Sequence, residues 1–241
     1  MDELPQTPPR PLDNDGDEER LGDVTVTHRF ADAPGDGETV RRHYVEAGPS
    51  DGPVVEIERF SLITHDRGTP VGDHLVALMG DRVLRYGRGQ QHLWHLSPDL
   101  HPQQAMFTSP DAPSMLADAG RFVATAYLLL TEHRVKVSDV ARTVQEFSYE
   151  GISTAVPRYF NSSSFRQEWI ERRTRLIPRW KCPVLLLQGA DDPLQPREFY
   201  TDPDALAELP QGSGVHLFDS GHFWPFEVPE EMITVLRDFL K

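Results

Sequence analysis

Apolar and polar residues follow each other in a pattern that predicts strands at both ends of the chain and helices between them. Short runs that alternate, or that are apolar throughout, have the length and composition of strands. They lie at 24–30, 40–47, 60–63, 82–86, 182–188 and 215–218. The run at 182–188 is apolar throughout, which is typical of a parallel strand covered on both faces. Helical spacing at 70–79 and 230–240 follows two of these strands, so the pattern indicates an α/β fold.

The middle of the chain differs from its ends in composition and in the spacing of its apolar residues. Aromatic residues and helical spacing dominate from 92 to 180, with predicted helices at 115–130, 137–147 and 159–177. We interpret this part as a helical cap inserted between two parts of one core. The predicted organisation is a tail at 1–22, core segments at 23–91 and 181–241, and the cap at 92–180.

The start of the chain is acidic and poor in apolar residues. The first 20 residues contain seven acidic residues, two arginines and four prolines. Such a segment cannot bury enough surface to offset the entropy that it would lose on ordering. We therefore expect 1–22 to be a disordered acidic tail.

Charge and cysteine content narrow the function classes. The formal net charge of the 241 residues is −14, which argues against nucleic acid as a partner because phosphate binding needs clustered positive charge. The single cysteine excludes an internal disulfide and fits a reducing compartment. No signal-peptide pattern or membrane-length apolar run occurs, so we expect a cytoplasmic protein with a small-molecule substrate and no membrane partner. The cap histidines lack metal-ligand spacing, so neither a metal nor another cofactor is expected.

The segment from Phe60 to Gly72 combines a strand, a sharp turn and the start of a helix. Asp66 lies at the centre of the turn, with the small residues Gly68 and Thr69 behind it. This is the context of a nucleophile elbow, in which the central side chain stands clear of the backbone. An aspartate here could equally cap the helix that follows, a role that this residue type favours. The turn alone leaves both interpretations open.

Two further polar residues follow strands near the C-terminus. Asp192 follows the strand at 182–188, and His222 follows the strand at 215–218. In open α/β sheets, ligands bind where the carboxyl ends of the strands meet. Either residue alone is more often a turn or structural residue, but the order nucleophile, acid, base is that of α/β-hydrolases. The order therefore predicts a catalytic triad of Asp66, Asp192 and His222.

Three motifs carry a resemblance to a known family. They read His65-Asp-Arg-Gly68, Gly189-Ala-Asp-Asp-Pro193 and Gly221-His-Phe-Trp-Pro-Phe-Glu-Val-Pro229. The chain resembles the epoxide hydrolase and dehalogenase branch of the α/β-hydrolases over residues 24–240, though not continuously. The resemblance implies an α/β-hydrolase fold, a mostly parallel sheet with a helical cap, and an aspartate nucleophile. The family's acid directly precedes the proline of its turn, which favours Asp192 over Asp191.

The resemblance also implies a mechanism. Asp66 would attack an epoxide or alkyl halide and form an ester, which divides one difficult step into two easier ones. His222, oriented by Asp192, would then activate the water that cleaves this ester.

Candidate substrate-binding residues follow from the same resemblance. Arg67 stands where many relatives have tryptophan, and it resembles the arginine with which fluoroacetate-type dehalogenases bind a substrate carboxylate. Their second arginine has no counterpart at 69–73, so haloacids are possible but not favoured. Epoxide hydrolases of the family protonate the opening oxygen with cap tyrosines. The candidates are Tyr127, Tyr149 and Tyr159, with ordinary packing as the alternative for each.

The chain departs from the family pattern between Val54 and Asp66. There the family has a His-Gly loop that contributes to the oxyanion or halide site, followed by further strands and helices, and these several dozen residues are missing. We therefore expect a truncated N-terminal part of the sheet, with an exposed strand edge that favours self-association. The expected function is an Asp-nucleophile hydrolase with a reduced site. The alternative is a non-catalytic homologue that retains a binding pocket.

Overall fold

The computed structural model describes residues 14–21, 24–34, 39–47, 58–94, 102–149, 151–162 and 164–241. The chain divides into two compact units, of which one is Pro5–Glu56 and the other contains Ile57–Lys241. Each unit has its own sheet, and the two are described separately below.

The smaller unit contains an antiparallel sheet. Its strands are β1 (Glu18–Leu21), β2 (Val24–Pro34) and β3 (Thr39–Ala47), paired in that order. Both pairs are antiparallel, as the predicted hairpin requires for β2 and β3. Val26 and His28 on β2 are buried whereas Thr25 is exposed, which is the alternation expected of a strand with one covered face.

The last residues of the expected disordered tail are ordered in the structure. Glu18–Leu21 form β1, and just before them the Gly16 N–H donates to the His28 carbonyl at 2.8 Å. The Arg29 guanidinium contacts Asp15 at 3.3 Å and Glu46 at 3.0 Å. The backbone hydrogen bonds between β1 and β2 and the guanidinium of Arg29 on β2 thus order acidic residues that the composition predicts to be disordered. Residues 1–13 and 22 of the expected tail lie outside the described residues.

The larger unit is built on a parallel sheet. Its strands are β4 (Phe60–Thr64), β5 (Val83–Gly89), β6 (Val184–Gly189) and β7 (Gly214–Phe218), in the order β4-β5-β6-β7. All three strand pairs are parallel. Val184, Leu186 and Leu187 of β6 are fully buried, so this strand is covered on both faces as its apolar sequence predicts.

Helices connect these strands and form the cap. α1 (Gly68–Met79) joins β4 to β5. The cap contains α2 (Pro102–Thr108), α3 (Ala112–Ala117), α4 (Ala119–Leu130), α5 (Val137–Phe147), α6 (Ile152–Ser162) and α7 (Phe165–Glu171). A π-helical turn, Arg172–Leu176, and a 3-10 turn, Ile177–Arg179, lead from α7 towards β6. The remaining helices are α8 (Glu198–Thr201), α9 (Pro203–Ala207), α10 (Trp224–Glu227) and α11 (Pro229–Phe239). Among the described residues, none of the helices is long and apolar enough to cross a membrane.

Two predicted cap helices are each divided by a capping residue. The expected helix at 115–130 consists of α3 and α4, because the Asp118 carboxylate accepts a hydrogen bond from the Arg121 N–H and begins a new helix. The expected helix at 159–177 is interrupted before α7, where the Ser164 hydroxyl accepts from the Gln167 N–H. Serine and aspartate favour such N-cap positions, and periodicity alone does not reveal them. α5 has the bounds that its sequence predicts.

A buried ionic cluster joins α1 to β5 and to the π-helical turn. Asp73 on α1 is fully buried, and its Oδ1 accepts from the Arg88 Nε at 2.8 Å and from the Tyr86 hydroxyl at 2.9 Å. Its Oδ2 accepts from the Arg88 Nη2 at 3.1 Å and from the Arg172 Nε. Burial would raise the pKa of the Asp73 carboxyl, but the charges of both arginines lower it below its ordinary value. One carboxylate therefore holds three separate segments together.

β4 lies at one edge of the described sheet, where it pairs with β5. Residues 48–57 lie outside the described residues, and the described part begins as a strand at Phe60. Self-association through this edge stays a prediction.

Replacing Asp73 with asparagine should strongly destabilise the larger unit. The substitution removes the charge that offsets two buried guanidinium groups, and breaking such a pair costs about 3–5 kcal/mol of unfolding free energy. Urea unfolding followed by tryptophan fluorescence measures the change. Asp81→Asn is the matched control, because the Asp81–Lys181 pair is exposed and such pairs contribute little. An equal loss in both variants would contradict this role for the cluster.

Candidate active site

The turn between β4 and α1 has the backbone of a nucleophile elbow. Asp66 has a φ of 46°, in the left-handed region that L-residues other than Asn and Asp rarely adopt. The Gly68 N–H donates to the His65 carbonyl at 3.1 Å, and the Thr69 N–H donates to the Asp66 carbonyl at 3.0 Å. The turn is closed by its own backbone, and it is the strand-turn-helix arrangement that the sequence predicts.

Small residues allow α1 to pack closely behind this turn, but not where the sequence suggested. A Cβ on Gly68 would meet nothing within 4 Å, whereas a Cβ on Gly72 would lie 2.5 Å from the Thr64 Cγ2. The tight contact therefore falls one helical turn further along α1 than expected. Thr69 is fully buried, and its hydroxyl donates to the Gly89 carbonyl at 2.7 Å, which fixes the helix against β5.

The Asp66 side chain is not used as a helix cap. The N-cap residue of α1 is Arg67, with no side-chain capping bond. The Asp66 carboxylate makes no hydrogen bond with any described residue, and it lines a cavity beneath the cap. Of the two interpretations left open by the sequence, the exposed elbow residue fits this geometry.

The loops after β6 and β7 bring an acid and a base together. The Ala190 N–H donates to the Phe218 carbonyl at 2.8 Å, and the Asp191 N–H donates to the Ser220 carbonyl at 3.1 Å. Beyond these contacts, the His222 Nδ1 lies 2.9 Å from the Asp192 Oδ2. Asp192 is 5% exposed and His222 is 7% exposed, so this hydrogen bond is shielded from water.

Asp192 is held as an acceptor by several donors. Its Oδ2 accepts from the Gln188 Nε2 at 2.9 Å, and its Oδ1 accepts from the Leu194 N–H at 2.8 Å. Burial would raise the pKa of the Asp192 carboxyl, but the hydrogen bond and charge of His222 and these donors lower it below its ordinary value. Asp192 therefore orients His222 as a carboxylate.

His222 is placed to act as a base through Nε2. Since an ionised Asp192 can only accept, the proton they share belongs to Nδ1, which leaves Nε2 as the acceptor of the neutral ring. Burial would lower the pKa of His222, but the hydrogen bond and charge of Asp192, together with the charge of Asp66, raise it above its ordinary value.

A second histidine beside the elbow stays neutral. The His65 ring packs edge-on against Trp224, with 5.1 Å between ring centroids, and lies 6.5 Å from the His222 ring. Burial lowers the pKa of His65 to about 4, although the charge of Asp66 opposes this shift. At neutral pH His65 therefore adds no positive charge near the His222 ring.

Glu227 fixes the loop that carries His222, a role that sequence reasoning missed. Its Oε2 accepts from the backbone N–H groups of Glu132 at 2.8 Å, His133 at 3.0 Å and Gly221 at 3.1 Å. Its Oε1 accepts from the Phe223 N–H at 3.1 Å. Glu227 belongs to the motif that ends at Pro229, but nothing in the sequence indicates that it binds backbone groups of the cap.

The cavity beneath the cap has a volume of about 1060 Å³. Asp66 and His222 line it together with mostly apolar side chains of the cap, which is the usual character of a small-molecule site. Much of the apolar wall consists of Met106, Phe107, Phe122, Phe160, Phe165 and Phe223. In the part of the chain that the structure describes, no three His, Cys, Asp or Glu side chains are grouped so that they could hold a metal ion.

Of the three candidate tyrosines, Tyr127 lines the cavity, whereas Tyr149 and Tyr159 are not among the described residues that line it. The Tyr127 ring stacks on Phe223 with 4.5 Å between centroids. Its hydroxyl lies 3.1 Å from the Thr143 Oγ1, and the Thr143 hydroxyl donates its own proton to the Asp139 carbonyl. Tyr127 therefore directs its proton to Thr143 rather than into the cavity.

Arg67 lines the cavity but is bound by cap residues. Its Nη2 donates to the Glu168 Oε1 at 2.9 Å, and its Nε donates to the Tyr159 hydroxyl at 2.6 Å. Its Cζ lies 4.9 Å from the centroid of the Tyr159 ring and 4.7 Å from that of Phe165. Tyr159 thus contacts Arg67. Tyr149 is neither among the described residues that line the cavity nor among the hydrogen-bonding partners of Arg67.

Comparison with known proteins supports the fold. No protein-family model and no curated protein matches the chain. A provisionally assigned acyltransferase from Salmonella enterica superposes with a TM-score of 0.61 at 18% identity, covering 76% of this chain and 64% of that protein. A provisionally assigned α/β hydrolase from Nostoc sp. superposes with a TM-score of 0.59 at 19% identity, covering 76% of this chain and 67% of that protein. A mutant epoxide hydrolase from Bacillus megaterium superposes with a TM-score of 0.59 at 17% identity, covering 76% of this chain and 69% of that protein.

These similarities define the class of the fold. The chain has the α/β-hydrolase fold, with a parallel four-stranded sheet, a helical cap and a truncated N-terminal part of the sheet. The chain spans about two-thirds of the length of these proteins, with 64% of the Salmonella protein covered.

Asp192→Asn should lower the pKa of His222, because it removes the carboxylate whose hydrogen bond and charge raise that pKa. The imidazole would then be neutral down to a lower pH than in the unchanged protein. NMR titration of the histidine ring signals, assigned with His222→Gln, measures the shift. Asp191→Asn is the matched control, since Asp191 is exposed and adjacent. A larger shift in the control would assign the role of the acid to Asp191 instead.

Proposed function

We propose that this chain is a hydrolase that acts on uncharged epoxides or alkyl halides through a covalent ester on Asp66. The observation that carries the proposal is the unpartnered Asp66 carboxylate, which shares a cavity with a histidine held by Asp192. A carboxylate can act as a nucleophile without a base, so the elbow residue fits the first step and the histidine fits the second.

In the first step, a carboxylate oxygen of Asp66 attacks the electrophilic carbon. The new carbon–oxygen bond forms as the bond to the epoxide oxygen or to the halogen breaks, and the leaving atom takes the electron pair. The positive φ of Asp66 directs its side chain away from the backbone of the turn, which favours alignment with a substrate in the cavity.

In the second step, the His222 Nε2 takes a proton from water, and the resulting hydroxide attacks the ester carbonyl. The ester carbon–oxygen bond then breaks, and the departing oxygen takes the proton of the added hydroxyl, which gives the alcohol or diol and restores the Asp66 carboxylate. Asp192 stabilises the imidazolium that forms. The imidazolium then releases its proton to solvent. Since this step needs the neutral ring, its rate should fall as the pH falls through the raised pKa of His222.

Arg67 indicates an uncharged substrate. A free guanidinium at the cavity wall would favour a carboxylate, but the Arg67 charge is already paired with Glu168 and enclosed by two aromatic rings. Most of the exposed wall is apolar, which disfavours a charged group that loses its hydration there. Uncharged epoxides and alkyl halides therefore fit this cavity better than haloacids.

Blocking the second step should trap the ester. In His222→Gln the first step remains and hydrolysis stops, so incubation with propylene oxide, styrene oxide or alkyl bromides should leave an adduct on the peptide that contains Asp66. Mass spectrometry of the digested protein detects it. The double variant Asp66→Asn with His222→Gln should carry no adduct at this position.

The same experiment tests the alternative. If His222→Gln is folded, as judged by its circular dichroism and melting curve, and yet remains unmodified by every reagent, the hydrolase proposal is wrong. A non-catalytic protein that binds a ligand in this cavity would then be preferred.

Glu168→Gln should relax the selectivity against carboxylates. In the His222→Gln background, bromoacetamide should alkylate Asp66 faster than bromoacetate, a reagent of similar size that carries a charge. Freeing the Arg67 charge should raise the bromoacetate rate relative to bromoacetamide by about tenfold, the factor that corresponds to about 1.4 kcal/mol. The readout is the rate of adduct formation on Asp66.

Glu171→Gln is the matched control for this measurement. Glu171 lies on the same helix, and its side chain pairs with the exposed Arg175 rather than with Arg67. It should leave the ratio of the two rates unchanged. Equal rates for both reagents in every variant would refute the substrate preference and leave Asp66 as the nucleophile.

A further inference from the structure

The end of β5 lies directly against the elbow. Thr64 pairs in register with Arg88, so the residues that follow these two strands are neighbours. A Cβ on Gly89 would lie 2.9 Å from the Thr64 carbonyl oxygen and 3.5 Å from the His65 Cα, which leaves room for glycine alone. Gln90 then turns the chain with a φ of 52°. The next residue, Gln91, therefore follows at the same edge of the sheet as the elbow, and it lines the same cavity as Asp66.

The backbone of Gln91 is held rigidly. Its carbonyl accepts a hydrogen bond from the Arg88 Nη1, and Arg88 is fully buried and paired with Asp73. The preceding Gln90 N–H donates to the Leu187 carbonyl on β6 at 3.1 Å. A side chain on this backbone starts from a fixed position, as a preorganised donor must.

The side chain of Gln91 has no partner within the described protein. Gln91 is 5% exposed and lines the cavity that it shares with Asp66 and His222. Its side-chain amide makes no hydrogen bond with any described residue. An amide at the wall of a cavity with no protein partner is available to hydrogen-bond a polar atom of a ligand that enters it.

Two other polar side chains of the cavity wall are engaged by neighbouring residues. Tyr127 directs its proton to Thr143, and Arg67 is bound by Glu168 and Tyr159. The amide of Gln91, by contrast, is a neutral donor available to charge that develops on a substrate in the cavity.

We propose that Gln91 is a catalytic residue whose Nε2 donates a hydrogen bond to the epoxide oxygen as Asp66 opens the ring, an inference that rests on the proposed function. The Asp66 oxygen bonds to the epoxide carbon, the ring carbon–oxygen bond breaks, and the ring oxygen takes the electron pair. Gln91 stabilises this oxygen without giving up its proton, and the alkoxide then takes a proton from water. Gln91 would supply a donor in a site that lacks the family's His-Gly loop.

Two uncharged reagents of similar size distinguish this role from a structural one. In the His222→Gln background, Gln91→Met removes the amide and keeps the length of the side chain. Alkylation of Asp66 by propylene oxide should slow about a hundredfold, the typical effect of losing one preorganised donor. Alkylation by propyl iodide should change little, because iodide is a weak acceptor of hydrogen bonds. Gln167→Met, on the exposed surface of α7, should alter neither rate.

Each outcome decides the matter. Unchanged rates, or equal losses with both reagents, would overturn the role of Gln91 and leave Asp66 as the nucleophile. If Gln91→Met does not fold, Gln91→Glu keeps the shape and replaces the amide donor with an acceptor, and the same selective loss with propylene oxide is expected. If neither reagent modifies Asp66 in the His222→Gln parent, the proposed function fails and this inference fails with it.

Discussion

The fully buried carboxylate of Asp73 is the contact on which the larger unit depends. It faces two guanidinium groups, Arg88 from β5 and Arg172 from the turn after α7, and charges in a protein interior are costly unless they are paired. The excess positive charge is met by backbone carbonyls, including those of Gln91 and Leu93. The nucleophile helix, its neighbouring strand and the return from the cap must therefore form together.

The geometry of the candidate site depends on the ion pairs of Asp73 and on a second buried acid, Glu227. α1 cannot shift without moving Asp66, since Thr69 and Gly72 pack it against β4 and β5. On the other side, Glu227 gathers four backbone N–H groups from the His222 loop and from the end of α4, so the base is fixed to the cap. The candidate nucleophile and the candidate base are thus anchored separately, and both line the cavity.

The truncation spares the elements that carry the triad. The described parallel sheet keeps the strands that end at the elbow, at the acid and at the base, with β5 between the first two. The sequence between Val54 and Asp66 contains no His-Gly pair, the motif of the loop expected there from the resemblance. The candidate site thus combines a mostly apolar wall, an Arg67 paired with Glu168, and the amide of Gln91, which has no partner among the described residues.

Local patterns in the sequence determined the strands other than β1, many of the helices and the identity of the candidate triad. A strand such as β6 is encoded by its own apolar run, α5 by its own periodicity, and Asp66, Asp192 and His222 by their order after predicted strands. The ordering of β1, the partners of Arg67, the clamp at Glu227 and the placement of Gln91 were decided by the tertiary structure. Each of these depends on groups far apart in the chain, as Arg67 and Glu168 are, and residue periodicity reports only which face of an element is covered. Which side chain meets which across that distance is a property of packing.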